Sequence, residues 1–520
     1  GTPGEDLNVD TAGVDGYTGA GVTVAVIDEG LEIAHEDLVA NIVAGSWDFA
    51  NSDTDPTNSA NDGDHGTKVA GIVAAKGWNN IGGRGVAPNA SLIGYNFLKN
   101  QTTSNQVQAW GSNPPVAVDV DINNMSYGIG YGTDETTYAL PSFLSSTYED
   151  ALKNGVTNLR GVKGALYIKS SGNDFDTSAT SDCGTDLSCT EVTIDNKNAV
   201  PYIIPVGSLK ADGTKSSYST PGSGLWVSGF GGEFGWNNDS YDGNVADAYL
   251  YLLEPAIMTT DQSGCINGNV GANGGTQRNP FENNSGGNSE NPSCNYTSRM
   301  NGTSSAAPTV AGVVALMLEA NPDLTWRDVK HIIATTADQI LPSLSYSLLE
   351  VPQYEWETNS AGYKFHNWFG FGKIDAAEAV TTAKAYTANS RGAFVTTGYQ
   401  STGTINLAII HPSNTTSTIT VTKPVDSNDV VEYVRVSIQL SHSIPKSIGL
   451  RLQSPDGTVV NIMQPYTNVG TNPSGTLFDI GVSALYGESL SGTWTLVAND
   501  YINDGTDGNL IEWGIEVYGN

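Results

Sequence analysis

Residues 21–28, GVTVAVID, form a nearly unbroken run of apolar and β-branched side chains that ends on an acid. A strand with one wet face alternates, whereas a continuous run fits a strand covered on both sides. Similar runs recur at 91–95, 117–122, 164–169 and 202–207. Helical periodicity lies between or after them, at 65–76, 142–155, 304–320 and 325–337. Strands alternating with helices predict a parallel α/β sheet. Thr325, followed three residues later by Asp328, predicts a capping box at a helix start. A last Ala-rich helix is expected over 375–388, and there the α/β pattern stops.

The texture changes near residue 390. In EYVRVSIQLS (432–441), Val434, Val436, Ile438 and Leu440 fall on one face and Arg435, Ser437 and Gln439 on the other. The turn SPDG (454–457) separates IGLRLQ from TVVNIM, as in a hairpin. Alternation returns in GTWTLVAND (492–500) and LIEWGIEVYG (510–519). An all-β sandwich or jelly roll is expected over 389–520, behind an α/β domain over 1–388. A chain of 520 residues exceeds what one core usually serves, which agrees with that division.

A formal net charge of −32 would repel phosphates, so nucleic acid is not an expected partner. The acid excess serves solubility, or in part calcium sites and a groove for cationic substrates. No run of about 18 apolar residues predicts a membrane span. The N-terminal GTPGEDLNVD lacks a charged region followed by an apolar one, so the expectation is a cytosolic protein or one already relieved of its signal. None of the four cysteines forms a C-x-x-C pair, which speaks against zinc. Three pairings are open, and local closure favours Cys183–Cys189 and Cys265–Cys294. Bridged surface loops imply an oxidising compartment.

Ser304 lies in NGTSSAAP, with Pro308 expected in the first turn of the apolar helix behind it. His65 opens the helical stretch HGTKVAGIVAAK, and Asp28 closes the first strand. Acid, base and hydroxyl in this order, each at the edge of a regular element, follow the order of the subtilisin triad. Asn173, in SSGND after the strand GALYIKS, is placed to donate to an oxyanion. Singly, these residues read as a helix cap, a loop histidine and a turn asparagine. Together they favour nucleophilic catalysis.

These blocks resemble subtilisin-like serine proteases, and within them the kexin/furin group of proprotein convertases. The similar stretches include DLNVDTAGVDGYTGAGV, GSWDF, LEANPDLTWRDV and FGFGKIDAAEAV. The β module, with EYVRVSIQLS, LRLQSPDG and GESLSGTWTL, resembles the P domain of that group. The resemblance implies Asp28, His65 and Ser304 as triad and Asn173 as oxyanion donor. Glu29 stands where those convertases usually carry a second Asp. The substrate cleft would include Ser126, Gly128, Ser171 and Gly172, with Asp62 facing the substrate. Asp182 and Asp186, with Asp134 in a neighbouring loop, would draw Lys or Arg at P1.

Calcium is likewise implied by the resemblance. A first site would use Asp37 and Asn79 through their side chains and Lys76, Ile81 and Gly83 through their carbonyls. A second would use Asp48, Asp53 and Asp55, which otherwise read as a solvated acidic loop. The family's pocket calcium needs a Glu after Tyr-Ser, and this chain has Thr220.

The resulting expectation is a secreted, calcium-stabilised serine endopeptidase acting on peptides and proteins. Its maturation would use a propeptide, removed here, or a separate chaperone or inhibitor protein. Rival readings are a broad-specificity subtilisin-like protease, a silent peptide binder and a glycan-binding surface protein. The polar loop 266–293 reads as an insertion or a cover near Ser304.

Overall fold

The computed structural model describes residues 5–10, 14–59, 63, 65–129, 143–175, 187–235, 254–268, 281, 289–422, 429–467, 469, 477–503 and 505–520. β1 (Thr23–Asp28) is covered on both faces, as its unbroken apolar run requires. It pairs in parallel with a strand on either side. The sheet runs β2 (Trp47–Asp48), β3 (Ser91–Asn96), β1, β4 (Ile122–Met125), β5 (Leu166–Ser170), β6 (Ile203–Leu209), β7 (Val227–Phe230). All six pairings are parallel.

Among the described residues the α-helices of this part are α1 (His65–Ala74), α2 (Thr103–Ala109), α3 (Ser146–Val162), α4 (Thr303–Ala320), α5 (Trp326–Thr336) and α6 (Ala376–Ala385). α4 is long and apolar enough to cross a membrane by length and composition, yet 89% of it is buried in the protein. It is a core helix against the sheet. The expected capping box is present at the start of α5: Thr325 accepts from the Asp328 N–H, and Asp328 from the Thr325 N–H.

Two expectations shift. β4 occupies Ile122–Met125 rather than 117–122. It contains Asn123 and Asn124, both buried, and two buried amides erase the apolar signature of a core strand. α4 begins at Thr303, so Pro308 is its sixth residue and lies beyond the first turn.

Between α1 and α4 the chain forms the hairpin β8 (Ile257–Thr260) and β9 (Tyr296–Met300). Thr259 and Thr260 donate through Oγ1 to the carbonyls of Lys68 and Thr67, fastening the hairpin to α1. The Cys265–Cys294 disulfide closes it, as local closure predicts. Cys189 is also disulfide-bonded, while Cys183 lies outside the described residues. After α5 come β10 (Ser345–Leu348), β11 (Val351–Glu355), β12 (Glu357–Thr358) and β13 (Lys364–Phe365).

The C-terminal part is antiparallel. Its strands are β14 (Val395–Thr396), β15 (Gln400–Ser401), β16 (Leu407–Ile409), β17 (Asn414–Val421), β18 (Val431–Ser441), β19 (Ile448–Gln453), β20 (Val459–Met463), β21 (Phe478–Val482), β22 (Gly492–Asp500) and β23 (Gly508–Gly519). One sheet is ordered β14-β23-β18-β21, with β15 and β16 also on β23, and the other β17-β22-β19-β20. β19 and β20 form the hairpin that SPDG predicts.

The alternation in β18 holds, with Val434, Val436, Ile438 and Leu440 fully buried. Its polar face is not wet, however. Ser437 is buried, and Arg435 meets Glu149 of α3 at 3.2 Å and Glu516 at 2.5 Å. Alternation marks two kinds of neighbour, and here the second is another domain. The same contact includes Tyr433 donating to the Asn198 carbonyl at 3.1 Å and Ser223 to the Gly481 carbonyl at 2.8 Å.

Candidate active site

The ends of β1 and β4 lie side by side, Ile27 opposite Met125. One residue further, Asp28 and Ser126 stand at the edge where the strand order changes direction. Open parallel sheets collect ligands at such a switch point. Asp28 is fully buried. His65, the first residue of α1, places Nδ1 2.9 and 3.0 Å from its two carboxylate oxygens. With Nδ1–H committed there, Nε2 is the nitrogen left to act as a base. Burial opposes charging of the ring, but the Asp28 carboxylate outweighs it, and the His65 pKa is raised above 6.5. Glu29 accepts the backbone N–H of His65 at 3.1 Å, an anion at a helix N-terminus. That bond is what Glu29 does in place of the resembled family's Asp.

Ser304 is the second residue of α4. Gly302, which precedes the helix, has φ 95°, a conformation that favours glycine. Pro308 lacks the N–H that would bond the Ser304 carbonyl four residues earlier. Ser126 supplies the missing donor through its Oγ at 2.9 Å, and the Ser304 hydroxyl donates to the Ser126 carbonyl at 3.1 Å. This reciprocal pair joins the head of α4 to the end of β4. The Ser304 backbone N–H is among the first four of the helix, which have no intrahelical acceptor.

Asn173 is exposed after β5. Its Oδ1 accepts the Thr303 N–H at 2.8 Å and the Thr303 hydroxyl at 2.9 Å. A backbone N–H can only donate, so the amide is oriented with Oδ1 toward Thr303 and Nδ2 available as donor. Gly172, at φ 115°, has Thr220 behind it. Thr220 donates its N–H to the Gly172 carbonyl and accepts the Asp174 N–H through Oγ1, each at 3.1 Å. Where the resembled family carries a pocket Glu, this threonine pins the turn that presents Asn173. Ser171 is buried and donates its N–H to Val206 at 3.0 Å.

Gly128 overlies an ion pair. A Cβ there would sit 3.2 Å from Asp195 Oδ2 and 3.3 Å from Lys169 Nζ. Lys169 meets Asp195 at 2.8 Å, and Lys197 meets it at 3.7 Å. Burial pushes the Asp195 carboxyl up, but the two lysines prevail and hold it down to about 2. Neither Asp195 nor Lys169 was expected from the sequence. The signal was a lysine inside the otherwise apolar strand GALYIKS. Asp62, Asp134, Asp182 and Asp186 lie outside the described residues.

The two acidic loops differ. Asp37 is fully buried, with Asn79 Nδ2 at 2.6 Å and the Gly83 N–H at 3.3 Å on its carboxylate. Burial raises its pKa. The Lys76 N–H donates to the Asp37 carbonyl at 2.9 Å, and the Ile81 N–H to Asn79 Oδ1 at 3.3 Å, so this loop wraps the acid. Asp48 instead accepts four N–H bonds, from Ala50, Asn51 twice and Asn96. Asp53 and Asp55 are exposed, each accepting the N–H two residues on. The structure does not gather Asp48, Asp53 and Asp55 into one cage. Among the described residues no three His, Cys, Asp or Glu side chains converge on a metal position.

Residues 19–372 match the family model described as Subtilase family, and 431–517 that described as Proprotein convertase P-domain. The Aeromonas extracellular serine protease of Aeromonas sobria is 32% identical over 97% of this chain and 81% of its own length. Neuroendocrine convertase 2 of Mus musculus is 28% identical over 100% of this chain and 71% of its own. A crystal structure of the Aeromonas sobria serine protease in complex with a chaperone has a TM-score of 0.84 at 30% identity, covering 99% of this chain and 91% of that one. With the family match spanning more than half of the chain, on a parallel sheet that carries Asp28 and His65 at its edge, this protein belongs to the subtilase family of serine proteases and carries a convertase-type P domain behind its catalytic domain.

Proposed function

We propose that this chain is a secreted, calcium-stabilised serine endopeptidase that works through an acyl-enzyme and prefers Lys or Arg at P1. The observation that carries the chemistry is the Asp28–His65 bond, one strand away from the Ser126–Ser304 pair. Ser304 Oγ leaves the Ser126 carbonyl and attacks the scissile carbonyl while His65 Nε2 takes its proton. Asp28 holds Nδ1–H and offsets the imidazolium charge. The Ser304 N–H and Asn173 Nδ2 donate to the oxyanion. His65 returns the proton to the leaving amine, and water then repeats the sequence to release the acid. The test is Ser304→Ala, for which a loss of about 10⁶ in kcat is expected, together with loss of covalent labelling by an organophosphate. Undiminished labelling would place the nucleophile elsewhere.

Of the two acidic loops, calcium is proposed at that of Asp37 and not at that of Asp48. Asp37 is buried with amide donors and no cationic side chain paired to it among the described residues, which fits a hard cation. Asp37, Asn79 and the carbonyls of Lys76, Ile81 and Gly83 would hold the ion, which neutralises the acid and ties the loop down. Asp48 is already saturated. Secretion is supported by the disulfides and by the extracellular Aeromonas relative. The chaperone bound to that relative supports a separate folding partner here.

The basic preference rests on Asp182, Asp186 and Asp134 and on kinship with neuroendocrine convertase 2. Asp195 cannot serve it, since two lysines already neutralise it. That ion pair favours the second reading, a broad-specificity enzyme. A peptide-library cleavage profile decides: cutting after large apolar residues as readily as after Arg supports the broad enzyme.

A further inference from the structure

Gln353, Glu355 and Glu357 alternate with Tyr354 and Trp356 along an extended segment. The period of two puts the three polar side chains on one face. They line a cavity of about 10 Å³, room for one water-sized body. Asn367 completes the wall on the subtilase side, and Asn461 and Ala484 of the P domain close the other. The site is therefore built across the domain boundary.

The amide nitrogens around this cavity are spent on carbonyls. Gln353 Nε2 donates to Val351 at 3.1 Å, Asn367 Nδ2 to Asn461 at 3.1 Å, and Asn461 Nδ2 to Pro352 at 2.6 Å. Their oxygens are the atoms left over. Gln353 is 2% exposed, and its Oε1 has no hydrogen-bond partner; Glu357 Oε2 is likewise buried without one. No cationic side chain lines the cavity. Two neighbouring carboxylates repel one another, and the orphaned oxygens of Glu357 and Gln353 leave acceptor capacity unused, which folded proteins rarely tolerate.

We propose that this cavity holds one divalent hard cation of the calcium class, bound between the subtilase and P domains by Glu355, Glu357 and the amide oxygens of Gln353, Asn367 and Asn461. Two carboxylate charges balance a dication. Counting each carboxylate as one or two ligands, the set supplies about five to seven oxygens, the range calcium takes. There is neither nitrogen nor sulfur for zinc, and no space for the waters that magnesium keeps. The ion would strap β20 of the P domain to the segment β11–β12. It is independent of the calcium proposed at Asp37.

The test is calcium stoichiometry by equilibrium dialysis of the full chain carrying Ser304→Ala, which prevents self-digestion. Adding Glu355→Gln and Glu357→Gln should lower binding by one ion per chain, and calcium should raise the thermal midpoint less than in the parent. Adding Asp37→Asn instead should leave the interface ion bound. An unchanged stoichiometry in the double-Gln variant overturns the proposal and leaves the cavity to a water or a shared proton. Anomalous scattering from parent crystals grown in calcium decides without the Gln substitutions: a peak between Glu355 and Glu357 supports the site, and no peak there overturns it.

Discussion

At the cleft, His65 commits one ring nitrogen to Asp28 and keeps the other available, and Asn173 commits its oxygen and keeps its N–H groups. At the domain boundary Glu432 keeps little back. Arg327 donates to it from Nε at 2.9 Å and from Nη2 at 2.5 Å, and Arg391 from Nε at 3.1 Å. Burial would raise the Glu432 carboxyl, but the Arg327 and Arg391 guanidiniums overcome it and the pKa falls below 4.5. Similar residue types are used in opposite ways. A group with capacity to spare can take a proton or meet a developing charge, while a saturated one holds two surfaces together. Changes at the first should alter rate with little effect on stability, and changes at the second the reverse.

The largest expected effect is on rate. Asp28→Asn preserves shape but presents the wrong tautomer of His65, and should lower kcat by about 10⁴ with the melting temperature little changed. Steady-state kinetics within tenfold of the parent would break the comparison at its catalytic end. Next is stability. Glu432→Ala leaves two guanidiniums facing each other and should cost about 3–5 kcal/mol in urea unfolding at neutral pH, with the rate per folded molecule unchanged. Because the folded pKa of Glu432 is depressed, its contribution is present above pH 4.5 and is lost as pH falls through the folded value. Unaltered unfolding would show that the cluster is ornamental.

Asn173→Asp tests the cleft with finer resolution. It keeps the acceptor for Thr303 but replaces the free donor, and should reduce kcat by at least about 10²–10³ while the fold stands. Activity near that of the parent would remove Asn173 from the mechanism. The smallest effect is the pH profile. The base must be neutral, so kcat/KM should rise with pH through the raised His65 pKa, giving a limb above 6.5. In Asp28→Asn that limb should move to lower pH. An acid limb well below 6.5 in the parent would contradict the Asp28–His65 geometry.

Much of this was legible beforehand because it is local. The capping box at Thr325, the hairpin at SPDG and the Cys265–Cys294 closure each span short stretches of chain. The apolar pattern misses β4 because Asn123 and Asn124 are polar residues buried in a strand that lies between β1 and β5. Pro308 lies deeper in its helix than the sequence pattern implies. Its consequence, a Ser304 carbonyl served by Ser126, needs two segments 178 residues apart.

By itself the sequence determined the two architectures and the order Asp28, His65, Ser304, since periodicity and short motifs carry both. Which acids have spare capacity only the tertiary structure decided. Asp48 is saturated by its own turn and Asn96, Asp195 is neutralised by Lys169 and Lys197, and among the described residues no Lys or Arg pairs with Asp37 or lines the cavity of Glu355 and Glu357. A carboxylate's availability depends on the donors around it, and most of those arrive from distant parts of the chain. That dependence is physical: burial removes water, and only partners brought in by the fold can replace it.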